Sequence, residues 1–443
     1  MTSTSSMIQR ASSASATTLS LRISSLAAHA VAASTVLVGA MAATATAADG
    51  TQTADNGAAA AKARVAADVA KVLEQYIVAP QAASELGCRV KWQATVPLAA
   101  GQTVKMVSSS PTAVLALDGR NQASLIRPET GDRAWTASAA DPIDHVLALG
   151  VFPYVGRSES DNMRIGVVAD TVYYTIGFDG GATLGRTRYH HVPNTTPQMF
   201  SRWFIYGTRS GQVSWLDCAT GSDLKCHTVD ALHGKAPVIA APAIGEDTVV
   251  GASSAGGVVS LDAKTGGLNW TKELLAGVSA SPTISKGVVF IASEDQYLYA
   301  FDLRTGATLW KYFTQTALRS SPFAAGDVVL QDVPGEGLVA LTQNPEAQPG
   351  GEVRWRRAHV AGSPIGVLDG AAMFWCPVGH VVTLVDLKKG DIVRTVSLPS
   401  VTSIEADTIE AGGFVAWSAD GRVERLAPMN PPAAAAAPAV ATK

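Results

Sequence analysis

Only a short set of side chains in this sequence could do chemistry. His190 and His191 adjoin Tyr189 and could supply half a metal site. Neighbours on a strand point to opposite faces, so such a pair seldom chelates together, and a surface or rim role is the simpler reading. His145, His227, His233, His359 and His380 are dispersed, without metal-ligand spacing. Arg354, Arg356 and Arg357 surround Trp355, which reads as a solvated strand face or as a patch for a partner. The acidic residues Glu294, Asp295 and Glu336 fall at turn signals, where carboxylates serve the backbone.

The cysteines are Cys88, Cys218, Cys226 and Cys376, with no C-x-x-C, so neither a zinc ribbon nor a redox motif is indicated. Cys218 and Cys226 flank Ala219-Thr220-Gly221-Ser222 and could face each other across a hairpin, which makes them a candidate disulfide. Cys88 and Cys376 read as buried thiols. G-x-S-x-G, Walker A and G-x-G-x-x-G motifs are absent, as is any recognisable nucleophile–base pair. The expectation is therefore no catalytic residues and no metal ligands.

The elements that would position any site are easier to read, because the chain repeats. Val259-Ser260-Leu261-Asp262-Ala263-Lys264-Thr265-Gly266-Gly267-Leu268-Asn269-Trp270 nearly superimposes on Tyr299-Ala300-Phe301-Asp302-Leu303-Arg304-Thr305-Gly306-Ala307-Thr308-Leu309-Trp310. Weaker copies hold Asp217 with Gly221, Asp386 with Gly390, Arg127 with Gly131 and Trp135, and Leu341 followed by Trp355. Positions 217, 262, 302, 342 and 386 step by 40 to 45 residues, the period of propeller blades.

A second series of turns precedes the first by about seven residues. It runs Asp118-Gly119, Asp179-Gly180, Ser210-Gly211, Ala255-Gly256, Asp295-Gln296, Glu336-Gly337, Gly379-His380 and Asp420-Gly421. Eight such turns predict an all-β, eight-bladed propeller of four-stranded antiparallel blades. The step from Asp118 to Asp179 is long and the next is short. That spacing predicts an insertion near 137–165 and a degenerate outer strand near 183–192, with a seven-bladed ring as the alternative.

Each repeat residue has a folding task. Asp217, Asp262, Asp302 and Asp386 start turns by accepting backbone N–H bonds. Gly131, Gly221, Gly266, Gly306 and Gly390 take the positive φ that closes them. Trp92, Trp135, Trp270, Trp310 and Trp355 present flat apolar surface to the next blade. The last blade lacks an outer strand, and Cys88–Thr95 is an outer strand without a blade. The two are expected to pair over residues 423–427 and close the ring, leaving no open edge.

The ends bound the domains. Residues 1–48 hold Arg10 and Arg22, no acid, and an apolar run ending at Ala45-Thr46-Ala47, as a cleaved export signal does; an uncleaved membrane anchor is the alternative. Residues 49–85 form a linker with an amphipathic helix over 57–78, 86–428 the propeller, and 429–443 a disordered Pro/Ala-rich tail. Without its signal the chain is mildly acidic, which argues against a nucleic-acid surface. A periplasmic or secreted monomer is expected, reaching a membrane only through an uncleaved signal or a partner.

The pattern apolar-Asp-x-x-Thr-Gly-x-x-x-Trp resembles the PQQ-like (quinoprotein-type) repeat family over roughly residues 86–428. That family includes quinoprotein alcohol and sugar dehydrogenases and the non-enzymatic, BamB-like outer-membrane assembly propellers. The dehydrogenase branch would imply PQQ with calcium on the axis over a Trp floor, held by Glu and Asn with an Asp base and often a vicinal disulfide. This sequence has no vicinal cysteines. The resemblance therefore implies a scaffold for other envelope proteins with no cofactor. A PQQ-dependent dehydrogenase and a small-molecule-binding sensor propeller are the alternatives.

Overall fold

The structure is a computed structural model that describes residues 71–72, 74–154, 162–229, 236–343 and 350–430. The expected export signal lies outside these residues, as do most of the 57–78 helix and all of the tail beyond Asn430. Residues 71, 72, 74 and 75 are helical. Pro80 opens a second short helix, α1 (Pro80–Glu85). Its missing N–H costs nothing at a helix start.

The strands form eight separate four-stranded antiparallel sheets, so the ring has eight blades and not seven. Blade 1 is β2 (Val104–Ser109), β3 (Val114–Asp118), β4 (Gln122–Ile126) and β5 (Arg133–Ser138). Blade 2 is β6 (Val146–Pro153), β7 (Met163–Ala169), β8 (Val172–Gly177) and β9 (Thr183–Arg188). Blade 3 is β10 (Gln198–Phe200), β11 (Trp203–Gly207), β12 (Gln212–Asp217) and β13 (Ser222–Thr228). Blade 4 is β14 (Ala243–Gly245), β15 (Thr248–Ala252), β16 (Gly257–Asp262) and β17 (Leu268–Glu273). Blade 5 is β18 (Thr283–Ser285), β19 (Val288–Ala292), β20 (Tyr297–Asp302) and β21 (Thr308–Phe313). Blade 6 is β22 (Phe323–Ala325), β23 (Val328–Val333), β24 (Gly337–Thr342) and β25 (Val353–Arg357). Blade 7 is β26 (Ser363–Leu368), β27 (Ala371–Cys376), β28 (Val381–Asp386) and β29 (Ile392–Ser397).

Blade 8 is β30 (Ser403–Ala406), β31 (Phe414–Trp417) and β32 (Arg422–Pro428), completed by β1 (Cys88–Thr95). The expected clasp has the register Trp92 opposite Arg425 and Ala94 opposite Val423.

One of the eight turns differs from its sequence reading. The second-to-third-strand hairpin of blade 2 is at residues 170–171, between β7 and β8, whereas Asp179-Gly180 lies in the following turn. The apparent insertion spans β6, which runs to Pro153, and β7, which starts at Met163, and the outer strand foreseen near 183–192 is β9. The misreading arose because the β7–β8 turn, Asp170-Thr171, carries no Gly.

The middle strands are buried throughout, as in β3 and β19, because each blade packs on two neighbours. Inner strands often begin after a small residue and proline: Thr196-Pro197, Ala241-Pro242, Ser281-Pro282 and Ser321-Pro322. These strands are edges facing the axis, where a residue with no N–H discourages further pairing.

The N-terminal segment fills the joint between blades 7 and 8. Ile77, Val78, Ala83 and Leu86 are buried with Leu384, Val396 and Leu398 of blade 7 and with Phe414 and Leu426 of blade 8. The buried Glu424 on β32 accepts from the N–H groups of Ile77 and Val78, both at 3.2 Å, and its second oxygen has no partner. Burial pushes this carboxyl up to about 7.

Between the ordinary carboxylate value and 7, the folded chain holds a proton that the unfolded chain releases. Stability from this group is full at low pH and falls as pH rises through that window. The thermal unfolding midpoint should therefore drop between pH 5 and pH 8, and less steeply in Glu424→Gln. An unchanged slope in the variant would show that Glu424 is not the linked group.

Candidate functional site

The repeat residues meet at the joints between blades. Asp262 Oδ1 accepts from the N–H groups of Lys264 (3.0 Å) and Thr265 (2.7 Å) and from Thr265 Oγ1 (2.8 Å). Asp302 makes the same bonds to Thr305 at 2.7 and 2.6 Å, and Asp386 caps Lys388 and Lys389 at 2.9 and 2.7 Å. Asp217 caps Ala219 at 2.9 Å and pairs with Arg202. These bonds hold the Asp262 and Asp302 carboxyls below their usual range, Asp262 chiefly through the Thr265 N–H and Asp302 chiefly through the Thr305 hydroxyl.

At seven of the eight joints the turn also receives an aromatic ring from the preceding blade, whose polar hydrogen bonds the carbonyl just after the Asp position. Trp270 Nε1 donates to Leu303 O at 2.8 Å, and Trp355 Nε1 to Leu387 O at 2.9 Å. Trp92 donates to Pro128 O and Trp135 to Phe178 O, both at 2.7 Å, and Trp310 to Gln343 O at 3.5 Å. The ring lies on the turn glycine: a Cβ on Gly306 (φ +71°) would sit 2.7 Å from Trp270 Cδ2. Gly131 stacks likewise on Trp92, and Gly390 on Trp355.

Two joints use rings that the repeat pattern does not show. Blade 2 has Gly185 on its outer strand where other blades carry Trp, and Tyr173 on β8 donates to Cys218 O at 2.8 Å instead. Blade 3 has Lys225 at that place, and Trp215 on β12 donates to Ala263 O at 2.9 Å. This exchange leaves Gly266 with nothing against it within 4 Å. A sequence signal existed, since Trp215 stands two residues before the repeat's own Asp217.

The candidate disulfide does not form. Cys226 lies opposite Ser214, and Cys218 is one residue past the end of β12, within the turn itself. Cys218 is buried and Cys226 exposed, and both are free thiols. The turn spans residues 218–221, with Asp217 opposite Ser222, so Cys218 is the first turn residue while Cys226 lies four residues past Ser222 on β13. Cys88 is buried as expected, and Cys376 is half-buried.

The other candidates also take structural places. His191 Nδ1 is 3.3 Å from the buried Asp223 carboxylate. Arg356 pairs with Glu336 and donates to Tyr312 Oη at 3.0 Å, while Arg357 donates to Gly390 O at 2.7 Å. Glu294 is engaged by Ser279 at 2.8 Å and Arg319 at 3.2 Å. Among the described residues, no group of three or more His, Cys, Asp or Glu side chains could hold a metal ion.

Three cavities of about 470, 400 and 500 Å³ lie along the inner strands around the axis. Their linings contain two carboxylates, Asp332 in the first and Glu405 in the second, and no tryptophan. Asp332 is already bonded to His359 at 2.9 Å. Calcium takes six or more oxygens. The described lining thus does not fit a calcium-bound quinone over an indole floor.

Antiparallel topology gives the ring two distinct ends. The repeat turns lie on one face; the second-to-third-strand hairpins and the connections between blades lie on the other. Exposed aliphatic side chains in the described loops concentrate on this connection face. Ile143, Val192, Ile239 and Leu275 fall in four successive interblade connections, and Val378 in a hairpin of the same face. Ile143 is 93% exposed, Leu275 90% and Val378 92%, whereas beside the repeat turns the exposed aliphatics are Met429 at 45% and the outer-strand starts Leu184, Leu268 and Ile392 at 45–54%. Four successive connections place these residues along half the ring.

Among the described residues no helix is long and apolar enough to cross a membrane. No curated protein sequence matches the chain. Residues 205–358 match the family model described as outer membrane protein assembly factor BamB. The crystal structure of BamB from Moraxella catarrhalis is similar, with a TM-score of 0.55 and 19% identity, covering 76% of this chain and 98% of that one. The computationally designed Ika8 protein is also similar, with a TM-score of 0.53 and 14% identity over 75% of this chain and 98% of its own. Taken with the repeat turns and their docked rings, these matches show an eight-bladed propeller whose residues 205–358 carry repeats similar to those of the BamB family model.

Proposed function

We propose that this protein is a non-catalytic, exported propeller that serves as an interaction scaffold for other proteins of the cell envelope. The observation that carries this reading is the arc Ile143, Val192, Ile239 and Leu275, four apolar side chains held out on successive loops of one face. Single exposed aliphatics are ordinary on a soluble surface, but their concentration on one face of a rigid ring is the form of a binding surface. The BamB-like family match favours an envelope partner over other kinds. The repeat carboxylates support the absence of catalysis, because turn hydrogen bonds occupy those of Asp217, Asp262, Asp302 and Asp386.

The test is capture of partners from solubilised envelope by the full chain. Ile143→Asp and Leu275→Asp should each weaken capture of a specific partner about tenfold or more while leaving thermal unfolding unchanged. Capture that is indifferent to both variants would remove the connection face from consideration. Stoichiometric PQQ binding with dye-linked alcohol or sugar oxidation would overturn the scaffold reading itself.

A further inference from the structure

We propose that the axial cavity enclosed by blades 8, 1, 2 and 3 is a binding site for an alkylammonium group, with Glu405 as its counter-charge. The inference is independent of the scaffold reading. The cavity is about 400 Å³ and is lined from β30, β2, β6 and β10 and the segments beside them. Glu405 is the one charged side chain among its lining residues. The walls include Met106, Leu149, Met199 and Phe204, with hydroxyls from Ser108, Ser109, Thr196 and Thr408.

Solvent reaches the Glu405 carboxyl, but the surrounding protein replaces much of the water that would stabilise its charge, which lifts it to about 7. Among the described residues no basic side chain pairs with it. The strands packed around it, β2, β26 and β31, contribute one other charged residue, Lys105, whose Nζ lies 3.4 Å from Val146 O.

A lone carboxylate in a largely apolar cavity is stabilised by any cation that can enter, and Coulomb attraction is stronger there than in bulk water. The lining selects among cations. A divalent metal would need several more oxygen ligands than one carboxylate supplies. Thioether, aliphatic and aromatic walls instead suit a methylene chain behind the charge. The ammonium head has three donors, one or two for Glu405 and the rest for hydroxyls such as Ser109 Oγ and Thr408 Oγ1, which lie 3.2 Å apart beside it. A free amine and the lysine side chain of a bound protein share this chemistry.

The experiment is calorimetric titration of the full chain with n-butylammonium, with Nα-acetyl-lysine amide and with n-butanol, at pH 8 and pH 6. n-Butylammonium should bind at pH 8 and about tenfold more weakly at pH 6, as the ionised fraction of a carboxyl near 7 falls. Glu405→Gln should abolish binding at both pH values while the protein still unfolds cooperatively, with a midpoint at pH 8 no lower than that of the unsubstituted chain. Equal or tighter binding of the lysine amide would identify a partner's side chain as the natural source. Binding of the free amine alone would identify a small molecule. The proposal is overturned if butanol binds as well as the amine, if Glu405→Gln binds undiminished, or if no amine binds up to about 20 mM.

Discussion

Arg425→Ala is expected to destabilise the propeller by about 3–5 kcal/mol, the range for removing one partner of a buried ion pair. Arg425 sits on β32 in the closing blade. Its Nε donates to Asp407 at 2.8 Å, its Nη1 to Pro128 O at 3.0 Å and its Nη2 to Glu410 at 3.3 Å. The Asp407 side chain is fully buried and that of Arg425 is 6% exposed. Truncation leaves the Asp407 carboxylate without its cation.

It also releases Pro128 O, the carbonyl that accepts Trp92 Nε1 from β1. One carbonyl thus ties blade 1 to both the first and the last strand of the chain. Arg425→Lys keeps the charge but cannot serve three acceptors in a fork, so it should recover only part of the loss. Denaturant unfolding measures the cost. Hydrogen exchange should show β1 opening before the central blades.

The second large effect is expected at Trp270. Replacement by Ala removes a ring that is 8% exposed, at a cost of about 3–5 kcal/mol. It opens a void against Gly306 and strands Leu303 O. Trp270→Phe keeps most of the packing and loses the hydrogen bond, about 1 kcal/mol. Trp215→Phe should behave in the same way, because its indole does the same task from a different strand. If Trp215 proved tolerant of Ala, the equivalence of the two joints would be wrong. Neither substitution should alter partner capture by the remaining folded protein, because both residues are remote from the connection-face loops.

The architecture was legible because blade formation depends on local turn chemistry. Asp302, Thr305, Gly306 and Trp310 are close in sequence and announce a turn and its outer strand together. The clasp was legible for the same reason, as an outer strand left over at one end and a missing one at the other. Where a task moved between strands, the outer-strand Trp spacing no longer marked it: Tyr173 and Trp215 replace those tryptophans from β8 and β12, and only Trp215, two residues before Asp217, left a sequence signal. The Cys218–Cys226 bridge failed because the turn is at residues 218–221, which puts Cys218 inside it and Cys226 opposite Ser214.

The joint between blades 7 and 8 was also invisible. Arg394 there takes the outer-strand Trp position and donates to Glu85 O at the end of α1. The N-terminal segment supplies what a repeat turn supplies elsewhere. The candidate surfaces were least legible of all. Glu405 enters its cavity with partners from blades 1, 2 and 3, nearly 300 residues away in sequence for Ser109. The apolar arc becomes a single surface only once four loops, each carrying one aliphatic residue, are brought to the same end of the ring.

Site-specific photocrosslinking in the native envelope tests the scaffold claim most directly. A photoreactive residue would replace Ile143, Val192, Leu275 or Val378 on the connection face, and Arg304 or Asp391 on the repeat-turn face. Crosslinks to one envelope protein from the first set, and none from the second, are the expected result. Crosslinks confined to the repeat-turn positions would contradict it.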